Sequence, residues 1–272
     1  MTTTAEIIAI GNELLIGDVQ DTNTHWLCRQ ITGLGGHVRR CTMLPDELAV
    51  IVQEIQRAVE RGSHLIITSG GLGPTDDDLT LQAVARAAGV PLAEHPQALE
   101  MVRAKYAELA RQGYVDFPDL TPARRKMASL PHGATPLANP VGAAPGVVTR
   151  IGSSVVVSLP GVPAELRGIF TTSLQPLLQE LFGAGYFAEE VITTDCGDES
   201  VLAPIVRRIA AAHPQVYVKS RARRFGPQVR LRITLSASGA EQETVRARLG
   251  EARRSLIEAL TEAGISIIES AM

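Results

Sequence analysis

The stretch Ser69-Gly70-Gly71-Leu72-Gly73-Pro74-Thr75-Asp76-Asp77-Asp78-Leu79-Thr80 decides the reading of this chain. An apolar run, His64 to Thr68, leads into it and reads as a strand. A helical pattern leads out of it. Gly70, Gly71 and Gly73 open backbone angles closed to other residues and carry no side chain to block close approach. Free amides at the start of the following helix form a seat for an anion. One Asp is expected there as a helix cap, but Asp76, Asp77 and Asp78 exceed what a cap requires. They would repel a phosphate unless a cation lay between, and a Mg²⁺-type ion held by Asp77 and Asp78 resolves that conflict. A purely structural turn is the alternative.

Working outward, apolar runs alternate with helical patterns. Ala5 to Ile10 and His37 to Leu44 read as strands. Asp21 to Leu34 reads as a helix, and Pro45 and Asp46 open another that runs to Arg61. Strand–helix alternation predicts crossover connections and a mainly parallel sheet, hence an α/β fold. Pro91 to Pro131 reads as helical and more polar. Val147 to Ile151 and Val155 to Leu159, joined by Gly152 and Ser153, predict an antiparallel pair at the sheet's edge. One helix is expected from Pro163 to Phe182. Gly183 to Gly185 reads as a linker, so a first domain spans 1–182 and a second, smaller β-α-β-β-α domain spans 186–272. Its elements are strands Glu190–Asp195, Val216–Val218 and Val229–Ser236, with helices Ser200–Ala212 and Glu241–Ala263.

In a parallel sheet the loop after the first strand, Gly11 to Asn23, emerges beside the glycine loop. Glu13, Asp21 and Asn23 are therefore candidates to face the ligand, against the alternative that Asp21 caps a helix and Glu13 stands in solvent. Asn139-Pro-Val-Gly-Ala-Ala-Pro-Gly146 and Leu159-Pro-Gly-Val-Pro-Ala-Glu165 form two further shaped loops. Pro163 suits the first helical position, and Glu165 suits a first-turn acid favoured by the helix dipole.

From Ser200 to Ala240 there is no Asp or Glu, but there are Arg207, Arg208, Lys219, Arg221, Arg223, Arg224, Arg230 and Arg232. This is either a solvated basic face or, through Lys219 and Arg221, a set of phosphate contacts. Nucleic-acid binding is disfavoured, because the stretch lacks the aromatic interleaving expected of a stacking platform, and the formal net charge over 272 residues is −3. Cys28, Cys41 and Cys196 form no CxxC pair and are expected to be buried, reduced thiols. The six histidines show no metal-ligand spacing. No apolar run approaches the ~20 residues of a membrane span. The N-terminus lacks the pattern of a signal peptide, so a cytoplasmic setting is expected.

In this order, GNELLIGDVQDTN, SGGLGPTDDDLT, NPVGAAPG and LPGVPAE resemble the N-terminal region of the competence/damage-inducible CinA proteins. More distantly they resemble the molybdopterin-binding domains of the MoaB, MogA and MoeA type. The similarity covers essentially the whole chain. It implies a three-layer α/β/α domain followed by a small KH-like domain, and a homodimer or higher assembly. For the CinA-like branch it implies a metal-dependent pyrophosphatase acting on ADP-ribose or a related dinucleotide such as FAD. Mg²⁺ or a similar divalent ion would be its cofactor, with K⁺ as a further candidate. For the pterin branch it implies a molybdopterin- or nucleotide-binding module. By position, the resemblance places Glu13, Asp21, Asn23, Gly70 to Thr75, Asp77, Asp78, Asn139, Gly142, Pro145 and Gly146 at the site. Full-length relatives continue into an amidase domain, and no amidase activity is expected of this sequence. Ala143 stands where relatives commonly have Thr, which puts one substrate contact in doubt.

Overall fold

A computed structural model of the chain describes residues 3–183, 185–222, 230–239 and 241–271. The chain divides into two compact units. The first comprises 1–31 and 37–181; the second comprises 32–36 and 182–272.

In chain order the elements up to the glycine loop are β1 (Thr4–Ile10), α1 (Asn12–Leu15), α2 (Thr22–Gly33), β2 (His37–Leu44), α3 (Leu48–Glu60) and β3 (Leu65–Ser69). After the loop come α4 (Thr80–Ala88), β4 (Leu92–Glu94), α5 (Pro96–Arg111), α6 (Pro122–Lys126), β5 (Ser129–Pro131) and β6 (Thr135–Leu137). The first unit ends with β7 (Gly146–Ile151), β8 (Ser154–Leu159), α7 (Pro163–Thr171) and α8 (Gln175–Phe182). Its main sheet runs β2-β1-β3-β8-β7-β6, with β2, β1, β3 and β8 mutually parallel. The fold is thus mixed α/β with a mainly parallel central sheet, as the alternation predicts. The central strands β3 and β8 are buried along their whole length, which is why they read as continuous apolar runs rather than as alternations. Ile51, Ile55 and Ala58 of α3 pack with Ile8, Ile10, Ile66 and Val156 of the sheet, in the spacing that identifies α3 in the sequence.

Several expectations need correction. The β7–β8 hairpin is not at the edge: β8 also pairs with β3, and the three-residue β6 closes that side. The segment 91–131 holds α5 and α6 but also the short antiparallel pair β4–β5. The helix expected over 163–182 is broken between α7 and α8. Pro176 lacks the amide a continuous helix needs and crowds the carbonyl of residue 172. The hydroxyls of Thr171 and Thr172 turn back onto Arg167 O and Gly168 O, and Ser173 Oγ donates to Ala138 O. The cysteines are not buried: Cys41 is exposed and its Sγ lies 3.5 Å from that of Cys28, while Cys28 and Cys196 are half-buried.

The second unit holds β9 (Tyr186–Thr194), α9 (Glu199–Ala212), β10 (Tyr217–Ala222), β11 (Leu231–Gly239), α10 (Gln242–Glu262) and β12 (Ile267–Ala271). Its sheet runs β10-β11-β9-β12. The first strand starts earlier than its sequence pattern predicts, and β12 has no counterpart in the sequence reading. Val229, Arg223 and Arg224, which the sequence reading assigned to a strand and to the basic stretch, lie outside the described residues, as does Ala184 of the linker. Among the described residues no helix is long and apolar enough to cross a membrane.

One buried ionic knot fixes β1 to the end of α3. Arg61 donates to both carboxylate oxygens of Glu6 (2.9 and 2.6 Å) and to Glu54 Oε1 (2.7 Å), and Ser63 Oγ donates to Glu6 Oε1 (2.6 Å). Burial pushes the Glu6 carboxyl up, but the bonds from Arg61 and Ser63 and the charges of Arg61 and Arg40 outweigh it and hold Glu6 below its ordinary value. Glu6 therefore contributes stability that is present above its unfolded-state pKa and is lost as pH falls through the lower folded-state value. Replacing Arg61 by Ala strands two buried carboxylates and should cost about 3–5 kcal/mol in urea unfolding at neutral pH. The loss should shrink as the pH is lowered and the carboxylates protonate.

Candidate functional site

Three strand exits meet at one end of the parallel sheet. At Gly70 the backbone takes φ 106°, and a Cβ there would lie 2.2 Å from the carbonyl oxygen of Ile10, so only glycine fits between β1 and β3. The Gly70 amide donates to Leu159 O at the end of β8 (3.0 Å). Asn23, buried in the first turn of α2, donates through Nδ2 to Gly161 O (2.7 Å) and Ser69 Oγ (3.1 Å). Asn23 thus clamps the exits of β3 and β8 together.

The glycine loop is locked from below by Thr80. Its hydroxyl donates to Gly70 O (2.8 Å) and its amide to Gly71 O (3.2 Å). Among the described residues no hydrogen bond uses the amides of Gly71, Leu72 or Gly73. The helix is not capped by an Asp as expected: its N-cap is Leu79, which makes no capping side-chain bond. The acids turn back onto Thr75 instead. Asp78 Oδ2 accepts from Thr75 N (2.9 Å) and Thr75 Oγ (2.6 Å), and Asp77 Oδ1 meets the same hydroxyl. One hydroxyl carries one proton, so two carboxylates compete for it. The Thr75 bond, the Asp77 amide and the charge of Lys126 hold the Asp77 carboxyl below its usual range. Lys126 Nζ also donates to Thr75 O.

Gly70 to Thr75, Asp77 and Asp78 line a cavity of ≈ 480 Å³, within the range of small-molecule sites. The glycine loop, Asp77 and Asp78 share it with Glu13 and Asp46 from the exits of β1 and β2, and with Glu165 from the start of α7. Leu72, Tyr106, Met127, Ala143 and Ala144 add an apolar part of the wall. Tyr106 carries Arg124 over its ring at 3.9 Å. Burial pushes the Glu165 carboxyl above its ordinary value, against the lowering effects of a hydrogen bond from Asn139 and the charge of Lys105. Among the described residues no three His, Cys, Asp or Glu side chains gather closely enough to hold a metal ion on their own.

Of the sequence candidates, Glu13, Gly70, Gly71, Leu72, Gly73, Pro74, Thr75, Asp77 and Asp78 line this cavity. Asp21, Asn23, Asn139, Gly142, Pro145 and Gly146 do not line it; those with side chains that bond shape its backbone. Asp21 Oδ1 caps α2 at Thr24 N (2.9 Å). Asn139 holds its own loop, accepting from the amides of Val141 and Gly142 (both 2.9 Å) and donating to Ala144 O (2.8 Å). Lys219 and Arg221 project from the exposed face of β10 in the second unit, with Arg232 opposite Arg221 on β11. Asp46, Tyr106, Lys126 and Met127 escaped sequence reasoning, since nothing local marks them. Glu165 was read as an ordinary first-turn acid, although its motif was singled out.

Comparison with known proteins follows this geometry. Residues 6–180 match the family model described as a probable molybdopterin binding domain. The chain belongs to that family. A protein of Aeropyrum pernix is 45% identical over 268 residues, 97% of this chain and 96% of that one. A protein of Pyrobaculum arsenaticum is 45% identical over 242 residues, 88% of each. The crystal structure of the protein CinA from Thermoplasma acidophilum, described as of unknown function, shares 36% identity and a TM-score of 0.58. The match covers 64% of this chain and 98% of that one. This molybdopterin-binding-type chain is therefore CinA-like.

The lock beneath the loop of this family member is open to test. Thr80→Val removes the hydroxyl bond to Gly70 O while keeping the side chain's shape. It should cost about 1–3 kcal/mol in urea unfolding.

Proposed function

We propose that the chain is a metal-dependent pyrophosphatase that cleaves ADP-ribose or a related dinucleotide such as FAD. The observation that carries this reading is the juxtaposition, in one cavity, of three unused amides at Gly71 to Gly73 and two carboxylates competing for one hydroxyl. The amides suit phosphate oxygens. An all-oxygen pair such as Asp77 and Asp78, incomplete alone, suits Mg²⁺, which is commonly bound by one or two carboxylates with substrate phosphates completing its shell. When bound, such an ion neutralises charge on the diphosphate and makes its phosphorus easier to attack. The chain's own part is to hold the diphosphate against the bend and keep Asp77 ionised through Thr75 and Lys126. Tyr106 and Met127 offer an apolar wall to the ligand's ring system.

A second reading is favoured by the family match: a pterin- or nucleotide-binding module without hydrolysis, linked to molybdenum-cofactor biosynthesis. The same cavity, with amides beside an apolar wall, accommodates a phosphorylated pterin.

With Mg²⁺, ADP-ribose or FAD should release AMP, followed by chromatography. Asp78→Ala should lower the rate by about 10²–10³-fold. Tight molybdopterin binding by calorimetry, with no AMP from any dinucleotide, would replace the first reading by the second.

A further inference from the structure

We infer that Glu165 is the general base of this site, the carboxylate that takes the proton from the water attacking the diphosphate. The inference rests on the pyrophosphatase reading above. In the step, the water oxygen forms a bond to one phosphorus while its proton passes to Glu165. The bond from that phosphorus to the bridging oxygen breaks, and the bridging oxygen leaves with the electron pair as part of the second phosphate monoester. Glu165 then returns the proton to solvent.

The geometry separates Glu165 from a first-turn acid serving the helix dipole. Such an acid needs only to point outward from the turn. Glu165 instead turns into the cavity and accepts from Asn139 Nδ2 (2.7 Å), across 26 residues of sequence. Asn139 is itself fixed by three backbone contacts. The carboxylate lies hard against Gly142, where a Cβ would fall 2.1 Å from Glu165 Oε2. The Asn-Pro-Val-Gly and Leu-Pro-Gly-Val-Pro-Ala-Glu loops are thus built around one carboxylate. Oε2 is engaged, and among the described residues Oε1 accepts no hydrogen bond.

The other acids of the cavity suit other roles. Asp77 and Asp78 are engaged at Thr75, and Asp46 accepts from the amide of Asn12 (2.8 Å). Glu13 is exposed and folds back over its own loop, with Oε1 only 2.4 Å from where a Gly11 Cβ would be. Lys105 on α5 is the cation whose charge acts on Glu165. Burial raises the Glu165 carboxyl above its ordinary value, which makes its carboxylate a stronger base than an exposed one.

The test uses the full chain, ADP-ribose and Mg²⁺. Glu165→Gln keeps the shape and the Asn139 bond but cannot accept the proton. We expect kcat to fall by about 10²–10⁴-fold, KM to stay within about threefold, and the acidic limb of the pH–rate profile to disappear. A carboxyl raised in the folded state contributes stability that fades as pH rises through its shifted value. The variant should therefore melt no lower than wild type at pH 7.5, a readout that a purely structural Glu165 would fail. Wild-type turnover with Glu165→Gln inside threefold, or with KM and melting point both damaged, would overturn the base and leave the pyrophosphatase reading standing. Wild type that binds ADP-ribose and releases no AMP would overturn both.

Discussion

The contact between Gly70 and the carbonyl of Ile10 is the constraint on which the rest of the site depends. Two adjacent parallel strands, β1 and β3, end so close together that one side-chain carbon would sit 2.2 Å from a carbonyl oxygen. That proximity strips the sheet's exit of side chains. The chain leaves β3 through positive-φ backbone at Gly70 and Gly71, and the amides of Gly71 to Gly73, among cavity-lining residues, make no hydrogen bond among the described residues. β8 contributes to the same point, since its last carbonyl receives the Gly70 amide. The parallel topology puts all three exits at one end, so the site follows from the sheet.

The electrostatics are then set by acids seated on glycines. Gly11 leaves room for Glu13, Gly73 for Asp78, and Gly142 for Glu165; in each case a Cβ would fall within 2.6 Å of a carboxylate oxygen. A carboxylate pressed onto bare backbone loses hydration on that side. The outcome depends on what else it meets. Glu165, so seated, gains one amide nitrogen and rises, while Asp77, which rests on no glycine, gains a hydroxyl, an amide and the charge of Lys126 and stays low. Pushing neighbouring carboxylates in opposite directions divides labour between charge that stays ionised and charge that exchanges a proton.

Much of this was legible in the sequence because the signals were long. The apolar runs of β1, β2 and β3 and the 3.6-residue spacing in α3 extend over enough residues to show a period. The glycine–aspartate loop, flanked by a strand and a helix, marked the cavity. Illegible parts were short or non-local. β4, β5 and β6 have three residues each, too few for an alternation. Pro176 was read through because the apolar pattern continues past it. Glu165 has a satisfying local explanation at a helix start, and only Asn139, distant in sequence, reveals its actual surroundings.

The two sets of amides in the glycine loop and at the helix start differ in the structure. Sequence reasoning seats an anion on the amides of the 70–75 bend and on those at the start of α4, where the helix dipole adds to them. In the structure the first amide of α4, at Thr80, is spent on Gly71 O. Among the described residues the amides of the bend, Gly71 to Gly73, make no hydrogen bond. Thr80 binds the Gly70 and Gly71 carbonyls through its hydroxyl and its amide, and so fixes the bend from the helix side. α4 thus anchors the bend through its first residue. That is why the residue joining helix to loop is a buried threonine with two bonds to the loop, and why the acids are free to turn toward Thr75 instead of capping the helix.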